Sequence, residues 1–311
     1  MMKNILYNNL VIDPSPELTP VIRIAPFKNV HLQKKTFSEK SMGISSAYLS
    51  KRFHNYQLVQ KGRSAISIAL SSFNLSKEDV VTIFTTSGNF YISGCVTKEI
   101  EKYCRWSREL LPQTKVIFVN HEFGYPYPDA WSLKKYNLPI IEDCAHSFFT
   151  EEESIGKVGD FIVYSLSKAF PVQMGGVLVS PKKDLAFLHR EDEDLNFYIL
   201  SYLSPSVDNI DSIKKIRLSN YQYLENRLSS IGITPYFSLD KGVVPGVFLF
   251  RWLDNIDYPA LKVFMQSNGV ESSVFYGKNA FFVPCHDGVT EMEADYMCSL
   301  LEYYYKNILG L

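Results

Sequence analysis

The sequence predicts an α/β protein with a mostly parallel central sheet covered by helices on both faces, followed by a smaller α+β domain. Between residues 58 and 183, short apolar runs alternate with segments of helical periodicity. The runs are continuously apolar, which is typical of strands buried on both faces of a parallel sheet. The 311 residues are enough for two domains, and we expect a large domain over 1–185 and a small domain over 186–311.

Each element of the large domain follows from its local sequence. GRSAISIALSSFNL has apolar residues at helical spacing and predicts a helix from about Ser64 to Phe73. FYISGCVTKEIEKYCRWSREL predicts a mostly helical segment. The predicted strands are the apolar runs DVVTIFTT, KVIFVN, LPIIEDC, DFIVYSL and GGVLVS.

The small domain is predicted because the pattern of apolar and charged residues changes after Lys183. A long, charged segment of helical period runs from His189 to Ile233. Strand, helix, strand and helix then follow as VVPGVFLFRW, a helix around Tyr258–Ser267, VESSVFYG and TEMEADYMCSLLEYYYKNIL. This order is typical of a small α+β domain.

Composition excludes several classes of protein. The formal net charge is −1, so no basic excess favours nucleic acid or an anionic membrane. The five cysteines are odd in number and none shows C-x-x-C spacing, which argues against a disulfide framework and a zinc site of the usual spacing. The first 20 residues lack the apolar core of a signal peptide, and no apolar run approaches 18 residues. We therefore expect a cytoplasmic protein without a metal.

Two candidate residues follow the strands directly, where ligands bind in doubly wound sheets. Lys168 comes just after DFIVYSL, where burial and neighbouring cations can lower the pKa of a lysine and make it nucleophilic. A solvated loop lysine is the alternative. Asp143 closes LPIIEDC, and a buried carboxylate needs a cationic partner. A protonated pyridine nitrogen, an arginine or a water-filled pocket would each serve.

A second group of candidates suits an anion. Gly62, Arg63 and Ser64 open a predicted helix, where a phosphate can bind; a plain N-cap at Ser64 is the alternative. The hydroxyl of Ser165 could reach the same phosphate or bond to backbone.

Three further side chains stand where they could contact a ligand, although a structural role is open for each. His121 and Glu122 belong to HEFGYP, after the strand KVIFVN, and could contact substrate. His146 follows the strand that ends at Asp143.

The order of these parts is more specific than any one of them. A phosphate-type turn comes first, then an acid at a strand end, then a serine and a lysine at the next strand end, with Asp143 and Lys168 25 residues apart. Fold-type I enzymes that use pyridoxal 5'-phosphate (PLP) have this order. In them the acid holds the pyridine nitrogen charged and the lysine bonds to the cofactor.

Four stretches resemble the DegT/DnrJ/StrS family of PLP-dependent sugar aminotransferases. They are GRSAISIAL, HEFGYP, LPIIEDCAHSF and KVGDFIVYSLSKAFPVQMGGVLV. GVESSVFY and VPCHDGVTEMEADYM extend the resemblance loosely over residues 245–311. The resemblance implies the PLP fold-type I architecture.

The resemblance also implies roles for individual residues. Lys168 would carry the cofactor and shuttle protons, and Asp143 would pair with the pyridine nitrogen. His146 would contact the region of the ring's 3'-oxygen. The phosphate would be held by Gly62, Arg63, Ser64 and Ser165. The aromatic residue that stacks on the ring in relatives has three competing positions here, which are Phe84, Ser87 and Phe90; Phe90, with His121 and Glu122, is a candidate for substrate contact.

The implied activity is transfer of an amino group from glutamate to a nucleotide-linked keto-sugar, in nucleotide sugar biosynthesis. A different fold-type I enzyme (a lyase or an amino-acid transaminase) and a catalytically silent regulator of the same fold are the alternatives. The family implies a homodimer, and 21 Phe with 20 Tyr favour a large interface. The segment after Ser180 lacks the Gly-Tyr-Asn-x-Arg-type stretch through which a neighbouring subunit usually contributes to the cofactor site.

Overall fold

The structure, a computed structural model, describes residues 6–7, 10–11, 21–28, 39–182, 185, 192–253 and 255–310. The chain forms two compact units. The larger comprises Phe27–Ile210 and Lys241–Val244; the smaller comprises Asp211–Asp240, Pro245–Leu311 and the start of the chain as far as Pro26. The predicted domain boundary at 185/186 adjoins residues 186–191, which lie outside the described residues, so the division into 1–185 and 186–311 stays a prediction.

Several helices begin at a side chain that caps their first turn. Asp192 and Asp257 each accept a hydrogen bond from a backbone N–H three residues on, and Thr290 forms a capping box with Glu293. The α-helices of the described residues are α1 (Glu39–Arg52), α2 (Gly62–Ser71), α3 (Gly94–Ile100), α4 (Leu166–Ala169), α5 (Glu193–Val207), α6 (Ile210–Leu228), α7 (Tyr258–Ser267) and α8 (Glu291–Tyr303). Among them, none is both long and apolar enough to span a membrane.

The described strands form two larger sheets and one two-stranded antiparallel sheet. In chain order they are β1 (Leu6–Tyr7), β2 (Leu10–Val11), β3 (Tyr56–Val59), β4 (Val80–Thr85), β5 (Arg105–Ser107), β6 (Thr114–Asn120), β7 (Ile140–Asp143), β8 (Phe161–Ser165), β9 (Gly176–Val179), β10 (Ile233–Pro235), β11 (Val247–Trp252), β12 (Ser273–Val274) and β13 (Phe281–Pro284).

The larger unit contains a seven-stranded mixed sheet in the order β3-β9-β8-β7-β6-β4-β5. The strands from β8 to β5 are parallel, whereas β9 runs antiparallel to both β8 and β3. The sheet therefore confirms the predicted mostly parallel architecture. Since β6, β7 and β8 are parallel neighbours, their carboxyl ends meet at one edge of the sheet.

Alternate residues of β6 show that both faces of this sheet are buried. Val116 and Phe118 belong to an apolar cluster that includes α2 and α3, whereas Ile117 and Val119 belong to a second cluster with Ala130 and other residues. All four β6 side chains are fully buried. This two-sided burial explains why the strand is a continuous apolar run in the sequence.

One predicted element of the larger unit is wrong. Residues 90–110 were predicted to be mostly helical, but helix α3 ends at Ile100 and Arg105–Ser107 form strand β5. Cys104 N–H bonds to Ile100 O and closes the helix, and Arg105 N–H then bonds to Asp79 O next to β4. The free edge of β4 supplies backbone partners that the helical periodicity of the sequence does not reveal.

The smaller unit has the predicted α+β character. Its antiparallel sheet has the order β10-β11-β13-β12. Aromatic residues of β11 and β13 fill its core together with residues of α6, α7 and α8, among them Tyr221, Phe248, Phe250, Trp252, Phe281 and Leu301.

Candidate active site

The carboxyl ends of β6, β7 and β8 each carry a polar side chain at the same edge of the sheet. Asn120 and Asp143 end β6 and β7 and lie in register as neighbours. Ser165 ends β8 and immediately precedes the single-turn helix α4, which carries Lys168. Thus, the sheet topology gathers the residues that the sequence places after separate strands.

Lys168 presents its amine to a histidine. Its Nζ lies 2.8 Å from Nε2 of His146. The side chain is exposed, so a ligand can reach the amine. The surrounding protein nevertheless displaces enough water to lower the pKa of Lys168, while the negative charge of Asp143 opposes that shift. A lowered pKa makes the neutral, nucleophilic amine easier to form near neutral pH.

Asp143 is a buried carboxylate with a donor on each oxygen. Its Oδ1 accepts a hydrogen bond from Ala145 N–H at 2.9 Å, and its Oδ2 accepts one from Nδ2 of Asn120 at 3.2 Å. Burial raises the pKa of Asp143, an effect that the charge of Lys168 and the bond from Ala145 oppose. Such a carboxylate is suited to a cationic ligand that replaces the lost water.

Besides Lys168, His146 contacts the turn HEFGYP, which comprises residues 121–126. The rings of Phe123 and His146 have centroids 5.7 Å apart. Phe123 has a φ of 56° and Gly124 a φ of 95°, both in the left-handed region. A Cβ at Gly124 would lie 3.1 Å from the carbonyl oxygen of His146, so a glycine suits this close approach.

Two glycines allow the start of α2 to approach the end of β8. A Cβ at Gly62 would lie 3.4 Å from Cβ and 3.8 Å from Oγ of Ser165. A Cβ at Gly176, on β9, would lie 2.7–2.9 Å from backbone atoms of Lys61 and Gly62. The helix N-terminus and the Ser165 hydroxyl therefore form one small cradle, with the composition that favours an anion.

Arg63 and Ser64 lie on the first turn of the same helix. Nη2 of Arg63 is 3.0 Å from Sγ of Cys95, and Cys95 is close enough to Lys168 to influence its pKa. Ser64 lines a cavity of about 1140 Å³ that also contains Asp192 and Tyr198 of the α5 region. Cys95 was missed by the sequence analysis, because an isolated cysteine in a helical segment carries no local signal.

The structure places His121 in a buried hydrogen-bonded cluster. Its Nδ1 accepts a bond from Tyr127 N–H at 2.9 Å, and its Nε2 lies 2.9 Å from Oε1 of Glu142. Backbone N–H groups donate to the same carboxylate at 2.5–3.0 Å, from Gly156, Val158 and Gly159. Although donor atoms of His121, Glu142 and Cys144 lie within 4.8 Å of one another, as metal ligands would, these hydrogen bonds already use both ring nitrogens.

Two other residues predicted to contact substrate lie on nearby loops. Glu122 is buried and its Oε2 accepts a hydrogen bond from Ser87 N–H at 2.6 Å, which holds the loop after β4. Phe90 is 73% exposed and its ring centroid lies 6.4 Å from that of Trp106. A role in substrate binding stays a prediction for His121, Glu122 and Phe90.

The residues present fit the three functional parts of PLP. Asp143 offers a buried anion for a protonated ring nitrogen, and Lys168 offers an amine for a carbonyl carbon. The cradle at Gly62 and Ser165 is open where a Cβ would otherwise stand, and it suits a phosphate. The site can therefore pair with a protonated ring nitrogen, bond to a carbonyl carbon and hold a phosphate.

Comparisons with known proteins bear on this site. A family described as "Putative PLP-dependent aminotransferase" matches residues 49–226. The dTDP-4-amino-4,6-dideoxy-D-glucose transaminase of Shigella dysenteriae is 25% identical over 194 residues, which are 55% of this chain and 52% of that protein. The match thus spans about half the length of this curated relative.

Solved structures share the fold. The aminotransferase TlmJ from Streptoalloteichus hindustanus superposes with a TM-score of 0.70 at 13% identity, over 94% of this chain and 98% of that chain. A DegT DnrJ EryC1 StrS aminotransferase from Brucella abortus superposes with a TM-score of 0.67 at 12% identity, over 89% and 93% of the two chains.

Proposed function

We propose, from the premise that this chain belongs to the PLP-dependent aminotransferases of the DegT/StrS type, that it transfers an amino group from glutamate to a nucleotide-linked keto-sugar. The observation that carries the proposal is the grouping of Lys168, His146 and Asp143 at the carboxyl ends of β7 and β8. The name of the Shigella dysenteriae relative, a transaminase of a dTDP-linked amino sugar, supports the substrate class.

The chain supplies the proton transfers. PLP, when bound, supplies an electrophilic carbonyl and a ring that takes up negative charge from the substrate carbon. The Lys168 amine would bond to the cofactor and, once displaced by the donor, would take a proton from the α-carbon of the donor as a general base and deliver it as a general acid to the 4'-carbon of the cofactor. Burial lowers the pKa of Lys168 and so enlarges the neutral fraction of the amine.

The remaining residues hold the cofactor in place. Asp143 would pair with the protonated ring nitrogen, and the pairing relieves the cost of its own burial. His146 would contact the ring next to Lys168. The phosphate would be held by Gly62, Arg63, Ser64 and Ser165.

The proposal includes a cytoplasmic location and a homodimer. The five cysteines of the described chain form no disulfide with one another, and four of them are buried. A reducing compartment would keep these cysteines as free thiols.

A two-step assay tests the activity. L-Glutamate added to the PLP-loaded protein is expected to shift the absorbance of the bound cofactor and release 2-oxoglutarate, with D-glutamate and the Lys168→Ala variant as controls. A dTDP-linked 4-keto-6-deoxy sugar is then expected to restore the original spectrum and yield an amino sugar.

Three other results would favour the alternatives. Restoration by 2-oxo acids but by no keto-sugar indicates an amino-acid transaminase. Cleavage of the donor without transfer of its amino group indicates a lyase. PLP binding without any response to amino donors indicates a silent, regulatory protein.

A further inference from the structure

Asn120 stands beside the carboxylate that would anchor the cofactor ring. It is the last residue of β6, and Asp143 is its register partner at the end of β7. Nδ2 of Asn120 lies 3.2 Å from Oδ2 of Asp143, while Oδ1 accepts the bond from Ala145 N–H. Each oxygen of the carboxylate therefore has one neutral donor, and Asn120 is the donor that a side chain supplies.

Opposing effects act on the pKa of Asp143. The residue is 6% exposed, and its burial raises its pKa and so favours the protonated, neutral form. The positive charge of Lys168 and the hydrogen bond from Ala145 N–H oppose this shift and favour the ionised form, and the Asn120 amide donates to the other carboxylate oxygen. A protonated Asp143 would have no negative charge for a cationic ring. The amide of Asn120 donates a hydrogen bond and cannot itself take up the proton.

We propose that Asn120 is a positioning residue, which fixes Oδ2 of Asp143 and keeps that carboxylate ionised toward the ring nitrogen of the cofactor. This inference rests on the proposed function, because it assumes that Asp143 binds the ring. It deepens that function by assigning a residue that helps to hold the Asp143 carboxylate in place and ionised.

Two substitutions separate the charge effect from simple packing. Asn120→Leu keeps a side chain of similar size and removes the donor. Asn120→Asp puts a second carboxylate at hydrogen-bond distance from Asp143, so that the two share a proton. Asn55→Leu is the matched control, since it also removes an amide, whose Nδ2 donates to Ser180 O at 2.8 Å elsewhere in the larger unit.

The measurement is the affinity of the full-length protein for PLP between pH 5 and pH 9, by absorbance titration. Asn120→Leu is expected to raise the pH below which affinity is lost by about one unit relative to wild type, which is about tenfold in affinity at a pH within that range. Asn120→Asp is expected to shift it further. Asn55→Leu is expected to keep the wild-type pH profile, and the thermal midpoints of the cofactor-free Leu variants measure any loss of folding.

A double-mutant cycle with Asp143→Asn decides whether Asn120 acts through Asp143. In the Asp143→Asn background, Asn120→Leu is expected to leave the pH profile unchanged, because the group it controls is gone. An equal loss of affinity at every pH, or the same pH shift in both backgrounds, would overturn the positioning role while leaving the proposed function intact. Failure of the wild-type protein to bind PLP would overturn both.

Discussion

At the scale of single residues, the candidate site depends on charges that burial and neighbours push in opposite directions. The pKa of Asp143 is raised and that of Lys168 is lowered by the same loss of water, and each group partly restores the charge of the other. A cation bound at Asp143 would offset the cost of burying its charge, and a covalent bond at Lys168 would do the same for the amine. The arrangement suits the ligand that we propose, which has a cationic ring nitrogen and an electrophilic carbon.

The proposed phosphate site at the start of α2 can be tested by a double substitution. Replacing Arg63 and Ser64 together by Ala is expected to weaken PLP binding by at least about tenfold, since a charged hydrogen bond contributes about 1.5–3 kcal/mol and 1.4 kcal/mol is tenfold in affinity. The thermal midpoint of the cofactor-free protein is expected to change little. Arg105→Ala is the control, because Arg105 is an exposed arginine of the edge strand β5 that pairs with Glu78. The structure makes Lys61 the N-cap residue of α2, without a side-chain cap, so the predicted N-cap role of Ser64 is wrong. A collapse of the cofactor-free variant would show that the two side chains are needed for folding instead.

Some residues of the site could be predicted from sequence and others could not. Asp143 and Lys168 come directly after buried apolar runs, so strand position alone brings them to the candidate site. The contact between Lys168 and His146 depends on the loop after β7, and the contact between Asn120 and Asp143 depends on strand register. Neither loop path nor register is encoded in local periodicity, which explains why Asn120 was missed.

At the scale of elements, the buried strands were predictable and the sheet edge was not. The apolar runs of β4, β6, β7, β8 and β9 match the structure within one or two residues, because burial on both faces forces each run to be apolar. Strand β5 lies at the edge of the sheet, where Arg105 is exposed, and its sequence lacks that signature.

The close packing of β9 on the start of α2 gives the element-scale prediction. In Gly176→Ala, the new Cβ would lie 2.7 Å from the carbonyl carbon of Lys61 and 2.8 Å from N of Gly62, so the start of α2 must shift. PLP affinity is expected to fall because the proposed phosphate site moves with the helix. Gly43→Ala is the control, since no atom lies within 4 Å of its Cβ and alanine favours the helix by about 0.5–1 kcal/mol. Equal affinities of the two variants in a PLP titration would refute this role of Gly176.

At the scale of the whole molecule, the aromatic residues are distributed over separate cores. Phe148, Phe149 and Phe170 pack edge to face in the larger unit. Phe248, Phe250 and other rings fill the smaller unit. These cores account for many of the aromatic residues, whereas Phe90, Tyr91 and Trp131 remain exposed on the larger unit.

The whole-molecule prediction is a homodimer. Two-fold dimers are the commonest symmetric assemblies, and exposed aromatic side chains are typical of interface centres. We expect an interface above about 2,000 Å², the range of obligate dimers. Sedimentation velocity at micromolar concentration is expected to give a species of twice the 35.7 kDa chain mass. A monomer that binds PLP and transaminates would contradict this prediction and would mean that one chain completes the site.

The central claim is that Lys168 is the residue that bonds to the cofactor, and borohydride reduction tests it most directly. The protein is loaded with PLP, reduced, digested and mapped by mass spectrometry, with Lys168→Arg as the control. The site predicts a yellow protein, a single pyridoxyl label on Lys168, and no specific label in the control. A label on another lysine, or no bound PLP after reconstitution, would contradict the account.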